Sequence, residues 1–163
     1  MTILALEFSS EQRSVAIARD KIILAKAVES GGGRNTNAFG MIEKVLAEAK
    51  IEREEIEVVA VGIGPGSYTG IRAAISIAQG WQLARGIKLI GVSSAECLAA
   101  QAQAEKIFGR VNGVIDAQRD EFYLAVFEIS ADGWKEIKPL RVSTFAEVQA
   151  RADAEEILIG PEA

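Results

Sequence analysis

The stretch Gly62-Ile-Gly64-Pro65-Gly66-Ser67-Tyr68-Thr69-Gly70-Ile71-Arg72 is the part of this sequence best suited to chemistry. Glycines followed by hydroxyl residues can bring backbone N–H groups close to an anion at a helix N-terminus. The spacing, however, matches no established phosphate loop. A P-loop needs a lysine before its Ser or Thr, the dinucleotide spacing G-x-G-x-x-G is broken, and no G-x-S-x-G elbow presents a nucleophile. On spacing alone the loop reads as a tight strand-to-helix turn, with Ser67 or Thr69 capping the helix that follows. Arg72 falls in the first turn of that helix, against the dipole, which suggests an acidic partner or a solvated side chain.

Two carboxylates stand at strand ends, Glu7 after the apolar run 3–6 and Asp116 after 111–115. Ser9 and Ser10 follow the first, Gln118 and Arg119 the second. Neither turn has the glycines that let a hairpin wrap phosphate, so both carboxylates read first as solvated strand ends. The chain has no histidine, which excludes His-ligated zinc, a Ser-His triad and a Cys-His dyad. Its single cysteine, Cys97, cannot form an internal disulfide; it reads as a small helix-core residue in a reducing compartment.

The elements that must hold these groups follow from hydrophobic period. Apolar runs at 3–6, 14–18 and 21–25, parted by short polar turns, predict an antiparallel meander. Gly31-Gly32-Gly33-Arg34-Asn35 ends it as a flexible loop or a ligand lid. A helix is expected over 38–49 behind an Asn37 N-cap, burying Ala38, Met41, Ile42, Val45, Leu46 and Ala49, with Phe39 widening the stripe. A strand at 57–63, a helix at 71–85 and a strand at 88–92 come next. The pair Ser93 and Glu96 has capping-box spacing and opens a helix to about residue 106. The pattern then restarts with strands at 111–116, 122–129 and 134–142, a short helix behind Thr144 and Glu147, and a strand at 157–159 ending in Gly160-Pro161. This is an α/β architecture with a duplicated element order, divided at 1–106 and 107–163, and the second copy is cut short.

The 163 residues are 49% hydrophobic and 25% charged, which is ordinary globular composition for one domain or two small lobes. A net charge of -5, with no basic run, argues against autonomous binding to bare nucleic acid. The N-terminus MTILALEFSS lacks a basic n-region, and no apolar run approaches the ~20 residues of a membrane span. A soluble, cytoplasmic protein is expected. The helix at 71–85 is apolar around more than half its circumference: Ala73, Ile77, Trp81 and Ala84 extend the face made by Ile71, Ala74, Ile75 and Ala78. Such a helix is either enclosed by its own domain or meets a partner, with Trp81 as hot-spot candidate.

The segments LEFSSEQRSVAIA, GIGPGSYTGIRAAISIAQG, KLIGVSSAECLA and VIDAQRDEFYLAVF, in this order, resemble the TsaB (YeaZ) family of the actin-like ATPase superfamily. The specific part is GPGSYTGIR followed by a helix and IGVSS, and the resemblance covers about residues 2–128. It implies an actin-like ATPase (ribonuclease H-like) fold of two lobes with the second shortened. It implies a non-catalytic scaffold subunit that binds TsaD, with the ATPase TsaE, in threonylcarbamoylation of adenosine 37 in tRNAs reading ANN codons. It implies a homodimer when alone, tRNA contact only through the complex, no cofactor alone, and ATP and Mg within the complex. The signature loop is Gly64, Gly66, Ser67, Tyr68, Thr69, Gly70 and Arg72; the pairing surface would carry Phe39, Ile42, Ala73, Ile77, Trp81 and Ala84. In the actin-like architecture, Glu7, Ser9, Ser10, Asp116, Gln118 and Arg119 stand where a nucleotide's phosphates and metal would lie. A small ATPase or phosphotransferase built on those groups is the alternative. Two departures from the family pattern stand out: Glu7-Phe8-Ser9 replaces the usual Asp-Thr-Ser, and the histidine that often precedes the first helix is absent.

Overall fold

A computed structural model describes residues 1–30 and 37–161. The expected loop at 31–35 lies outside the described residues. The chain forms two compact units, Met1–Val92 and Ser93–Ala163.

Unit 1 begins with the expected meander, β1 (Thr2–Glu7), β2 (Arg13–Arg19) and β3 (Ile22–Glu29). It continues through α1 (Ala38–Ala49), a turn of 3-10 helix at Arg53–Glu55, β4 (Val58–Gly62), α2 (Tyr68–Arg85) and β5 (Lys88–Val92). The sheet order is β3-β2-β1-β4-β5, with β1, β4 and β5 parallel and the hairpins antiparallel. Register sets the core. One row aligns Ala27, Val15, Leu6 and Val61, and the next aligns Ala25, Ile17, Leu4, Val59 and Leu89. All but Leu89 are buried, because strand alternation sends them to the face covered by α1 and α2. Met41, Ile42, Val45 and Leu46 of α1 and Ala74 and Ala78 of α2 close that core. Both helices are capped from the sequence: Asn37 accepts from the Gly40 N–H at 3.0 Å, and Ser67 from the Gly70 N–H at 3.3 Å. With Ser67 as the cap, α2 starts at Tyr68 and not at Ile71.

Unit 2 contains α3 (Ser94–Ala104), β6 (Gly109–Gln118), β7 (Glu121–Ser130), β8 (Gly133–Thr144), α4 (Phe145–Asp153) and β9 (Ile157–Ile159). Its sheet order, β8-β7-β6-β9, repeats the first four strands of unit 1 with the same parallel and antiparallel pairings. The expected division at 106/107 falls instead at 92/93. The reason is packing: Ala95, Ala99 and Ala102 of α3 are buried with Val111, Ile115, Ala125 and Phe127 of β6 and β7. The α3 capping box between Ser93 and Glu96 forms as expected. At Thr144 only half of the box forms, because the Glu147 carboxylate turns to Arg141, Ser143 and Arg151 instead of the cap backbone.

That carboxylate belongs to a polar network on the α4 face of the sheet. Asn112, fully buried on β6, donates to Glu156 at 3.0 Å and to the Ile157 carbonyl at 3.1 Å, and accepts from Arg151 at 2.9 Å. Arg151 also reaches Glu156 at 3.0 Å and Glu147 at 3.2 Å. Hydrogen bonds from Arg141, Ser143 and Arg151 hold the Glu147 carboxyl down at a pKa of about 2. The network thus ties α4 to β6, β8 and β9 through charge-assisted bonds.

Candidate functional site

The signature loop is clamped onto the turn that follows β1. The Ser67 N–H donates to the Ser9 carbonyl at 2.6 Å. A Cβ on Gly66 would fall 2.2 Å from that same oxygen, and one on Gly70 only 1.9 Å from the Phe8 carbonyl oxygen. Gly64 and Gly66 also take φ of 86° and 145°, in the region that favours glycine. These glycines therefore admit another backbone, and that backbone is Phe8-Ser9. Phe8 is buried beneath it.

Glu7 closes the same turn from below. Its Oε1 accepts the Ser9 N–H at 2.7 Å, while Oε2 is buried without a hydrogen-bond partner, 2.0 Å from where a Gly62 Cβ would fall. The Ser10 hydroxyl donates to the Gln12 carbonyl at 2.9 Å. A phosphate cradle needs converging donors, whereas here carbonyl oxygens face the loop and the Ser9 N–H is taken by a carboxylate. The residues of unit 1 do not fit a Mg-nucleotide.

Unit 2 repeats the device. At the end of β6, Asp116 Oδ1 accepts the Gln118 N–H at 2.7 Å, again two residues on, and Oδ2 accepts from the Gln118 side chain at 3.3 Å. Gln118, Arg119 and Asp120 then take successive φ of 69°, 56° and 61° to turn into β7. Both strand-end carboxylates thus fold their own turns. Arg72, the candidate acid-seeking group, lies over the Tyr68 ring with its guanidinium carbon 5.1 Å from the centroid.

A different geometry gathers the helix residues. Phe39, Ile42, Trp81 and Ala84 line one groove between α1 and α2, about 230 Å³ in volume, with Gly80 in its wall. Ile42, expected both in the buried stripe of α1 and on the pairing surface, is buried and forms the floor; Ile77 is half-buried against the core, and Ala73 is exposed on the outer face. Two ion pairs, Arg53 with Glu43 at 3.0 Å and Arg85 with Glu54 at 3.7 Å, stand at the rim. No Cβ placed on Gly80 would meet an atom within 4 Å, so the groove is open above it. Sequence reasoning passed over Leu83, which is 88% exposed and apolar; its position outside the main stripe of α2 was the available signal.

Comparison with known proteins places these features in a family. Residues 35–158, more than half of the chain, match the family model "TsaD: tRNA N6-adenosine threonylcarbamoyltransferase". The tRNA threonylcarbamoyladenosine biosynthesis protein TsaB of Escherichia coli is 32% identical over 133 residues, which are 82% of this chain and 58% of that protein. The chain therefore spans well under two-thirds of the length of that relative. YeaZ from Pseudomonas aeruginosa superposes with a TM-score of 0.79 at 29% identity, over 88% of this chain and 66% of that one. Component A of (R)-2-hydroxyglutaryl-CoA dehydratase from Acidaminococcus fermentans, at 16% identity and a TM-score of 0.54 over 96% and 55% of the two chains, shares the fold alone. The duplicated β-meander and helix order is the actin-like ATPase fold. With the clamped glycine loop and these relatives together, the chain belongs to the TsaB (YeaZ) family within the TsaD-like, actin-like superfamily.

Proposed function

We propose that this chain acts in tRNA threonylcarbamoyladenosine formation as a non-catalytic scaffold subunit. It binds a TsaD-type subunit through the outer surface of α1 and α2. With a TsaE-type ATPase also present, it supports transfer to adenosine 37 of tRNAs reading ANN codons. Alone, it pairs with a second copy through the same surface, and it meets tRNA only within the complex. ATP and Mg enter with the partner subunits.

The observation that carries this reading is the groove. An apolar centre of Phe39, Trp81 and Ala84 inside a charged rim of Glu43, Arg53, Glu54 and Arg85 has the anatomy of a protein interface. Phe39 in the groove and Leu83 elsewhere on α2 are 66% and 88% exposed, large apolar side chains that the core of unit 1 does not bury. The pathway named for the Escherichia coli relative supports the biological setting.

The test is light-scattering chromatography of the chain, alone and with TsaD from the same organism. Leu83→Glu and Phe39→Glu change exposed side chains, so both variants keep their fold and should lose the heterodimer peak. A heterodimer insensitive to both changes removes this surface from the proposal. If no heterodimer forms with the unmodified, folded chain, the scaffold reading falls, and calorimetry with Mg-ATP then tests the ATPase alternative.

A further inference from the structure

The two units fasten the same helix in different ways. In each, a three-strand meander is followed by a helix and then by a strand that joins the sheet, so α4 stands where α1 stands. α1 buries Met41, Ile42, Val45 and Leu46, whereas none of the nine residues of α4 is buried. The sheet beneath α4 is closed all the same. Asn112 accepts from Arg151 of α4 and so faces that helix, and register puts Val126 opposite Asn112 and Leu124 opposite Val114 on the same face. Asn112, Leu124 and Val126 are all buried.

Charge holds α4 over that face. Arg151 reaches Asn112 at 2.9 Å and Glu156 at 3.0 Å, and Glu147 accepts from Ser143 at 2.7 Å and from Arg141. Apolar contact adds little: Val148 is half-buried, and the exposed Phe145 lies with its ring centroid 6.2 Å from that of Phe122. An open cleft of about 280 Å³ runs along the network, lined also by Arg110 and Lys138, and the Glu147 and Glu156 side chains are 35% and 37% exposed. Dissolved ions therefore reach these pairs and screen them, which they cannot do to buried apolar side chains. A helix of nine residues is also too short to persist unsupported, since even about 12–15 are marginal in water. Undocking and melting of α4 are one event.

We propose that α4 is a salt-sensitive ionic strap that opens as a unit, ahead of the rest of unit 2. On opening, Arg151 parts from Asn112 and Glu156, Glu147 parts from Ser143 and Arg141, and the sheet face of Leu124 and Val126 is bared. Rising salt favours the open form of α4, whereas α1, held by four buried apolar side chains, stays shut.

The test is native-state amide hydrogen exchange of the full chain, read residue by residue by NMR. Amides 149–153 of α4 should exchange faster than amides 124–127 of β7, which belong to the same unit. Between about 0.02 and 0.5 M NaCl, α4 exchange should accelerate on the order of 3–10-fold relative to amides 45–49 of α1, which serve as the control for intrinsic rate. Arg151→Gln removes the charge but keeps a hydrogen-bonding amide; it should speed α4 exchange at low salt and abolish most of the salt response, leaving β7 protected. Protection in α4 equal to that in β7, equal salt responses in α4 and α1, or an undiminished salt response in Arg151→Gln would each overturn the proposal. The first two readings use the unmodified chain, so they decide the matter even where the variant fails to fold.

Discussion

Gly70→Ala and Gly80→Ala make the same chemical change in the same helix, α2, and the structure assigns them opposite signs. At position 80 the added methyl meets nothing within 4 Å, so only the helix term remains, and Ala should stabilise by about 1 kcal/mol. At position 70 the methyl carbon would lie 1.9 Å from the Phe8 carbonyl oxygen, although contacts under 3.0 Å are essentially never seen. Relief requires the β1 turn to retreat by about 1.1 Å. Such overpacking costs typically 1–3 kcal/mol. The retreat also stretches the 2.6 Å bond from the Ser67 N–H to the Ser9 carbonyl, worth about 1 kcal/mol. Against the same propensity gain, Gly70→Ala should be net destabilising by roughly 1–3 kcal/mol. The chain has two tryptophans, Trp81 in unit 1 and Trp134 in unit 2, so a Trp134→Phe background makes fluorescence report unit 1. With a urea m-value of about 1–3 kcal/mol/M, the Gly70→Ala midpoint should fall by on the order of 1 M while Gly80→Ala rises slightly. Midpoints that move together would refute the idea that the signature loop is glycine-rich in order to admit the Phe8-Ser9 backbone.

Two further outcomes concern unit 2. Glu147, held at about 2 against an ordinary 4.5, stabilises the fold at pH above 4.5, and that contribution disappears as pH falls through 2. Because its side chain is 35% exposed, solvent screening reduces the contribution to about 1 kcal/mol. Urea titrations of Glu147→Gln, read by Trp134 in a Trp81→Phe background, should therefore show a flatter dependence between pH 5 and 2 than the parent; identical slopes would count against the network. In the β6–β7 turn, Asp120 sits at a φ of 61°, and Asp120→Gly should stabilise unit 2 by about 0.5–1 kcal/mol by removing the left-handed penalty. Loss of stability there would mean that the aspartate side chain contributes more to the turn than its backbone strain costs.

Local signals were legible wherever a residue acts on its near neighbours. Asn37 announces α1 to the residue, Ser93 and Glu96 announce α3, and apolar runs announce β1, β2 and β4. Errors arose where a distant partner decides. Lys106 and Gly109 punctuate the end of a helix, which invites a boundary there, but the alanines of α3 find their partners on β6 and β7. The start of α2 was misplaced by three residues because Tyr68 and Thr69 are poor helix formers, and the Ser67 cap overrides them. Glycines at 66 and 70 permit close backbone approach, while nothing local says that the approaching segment is the turn at residues 8–9. Leu83 was overlooked for the opposite reason: periodicity measures what a helix buries, and an isolated exposed leucine carries no period.

The packing of α1 and α2 on one face of the unit 1 sheet has a thermodynamic consequence for association. Beneath the groove, α1 and α2 are already held by two aligned rows of buried side chains, so a partner meets helices that are folded before it arrives. The entropy lost on docking is then that of a few surface side chains, each costing about 0.5–1.5 kcal/mol, and not that of an ordering segment. Calorimetry should accordingly record a heat-capacity decrease set by the apolar area of one groove, without the large negative enthalpy and entropy that accompany coupled folding. Folding of the monomer does not wait for association, so a weakened interface should leave the unfolding midpoint where it was at concentrations too low for self-pairing.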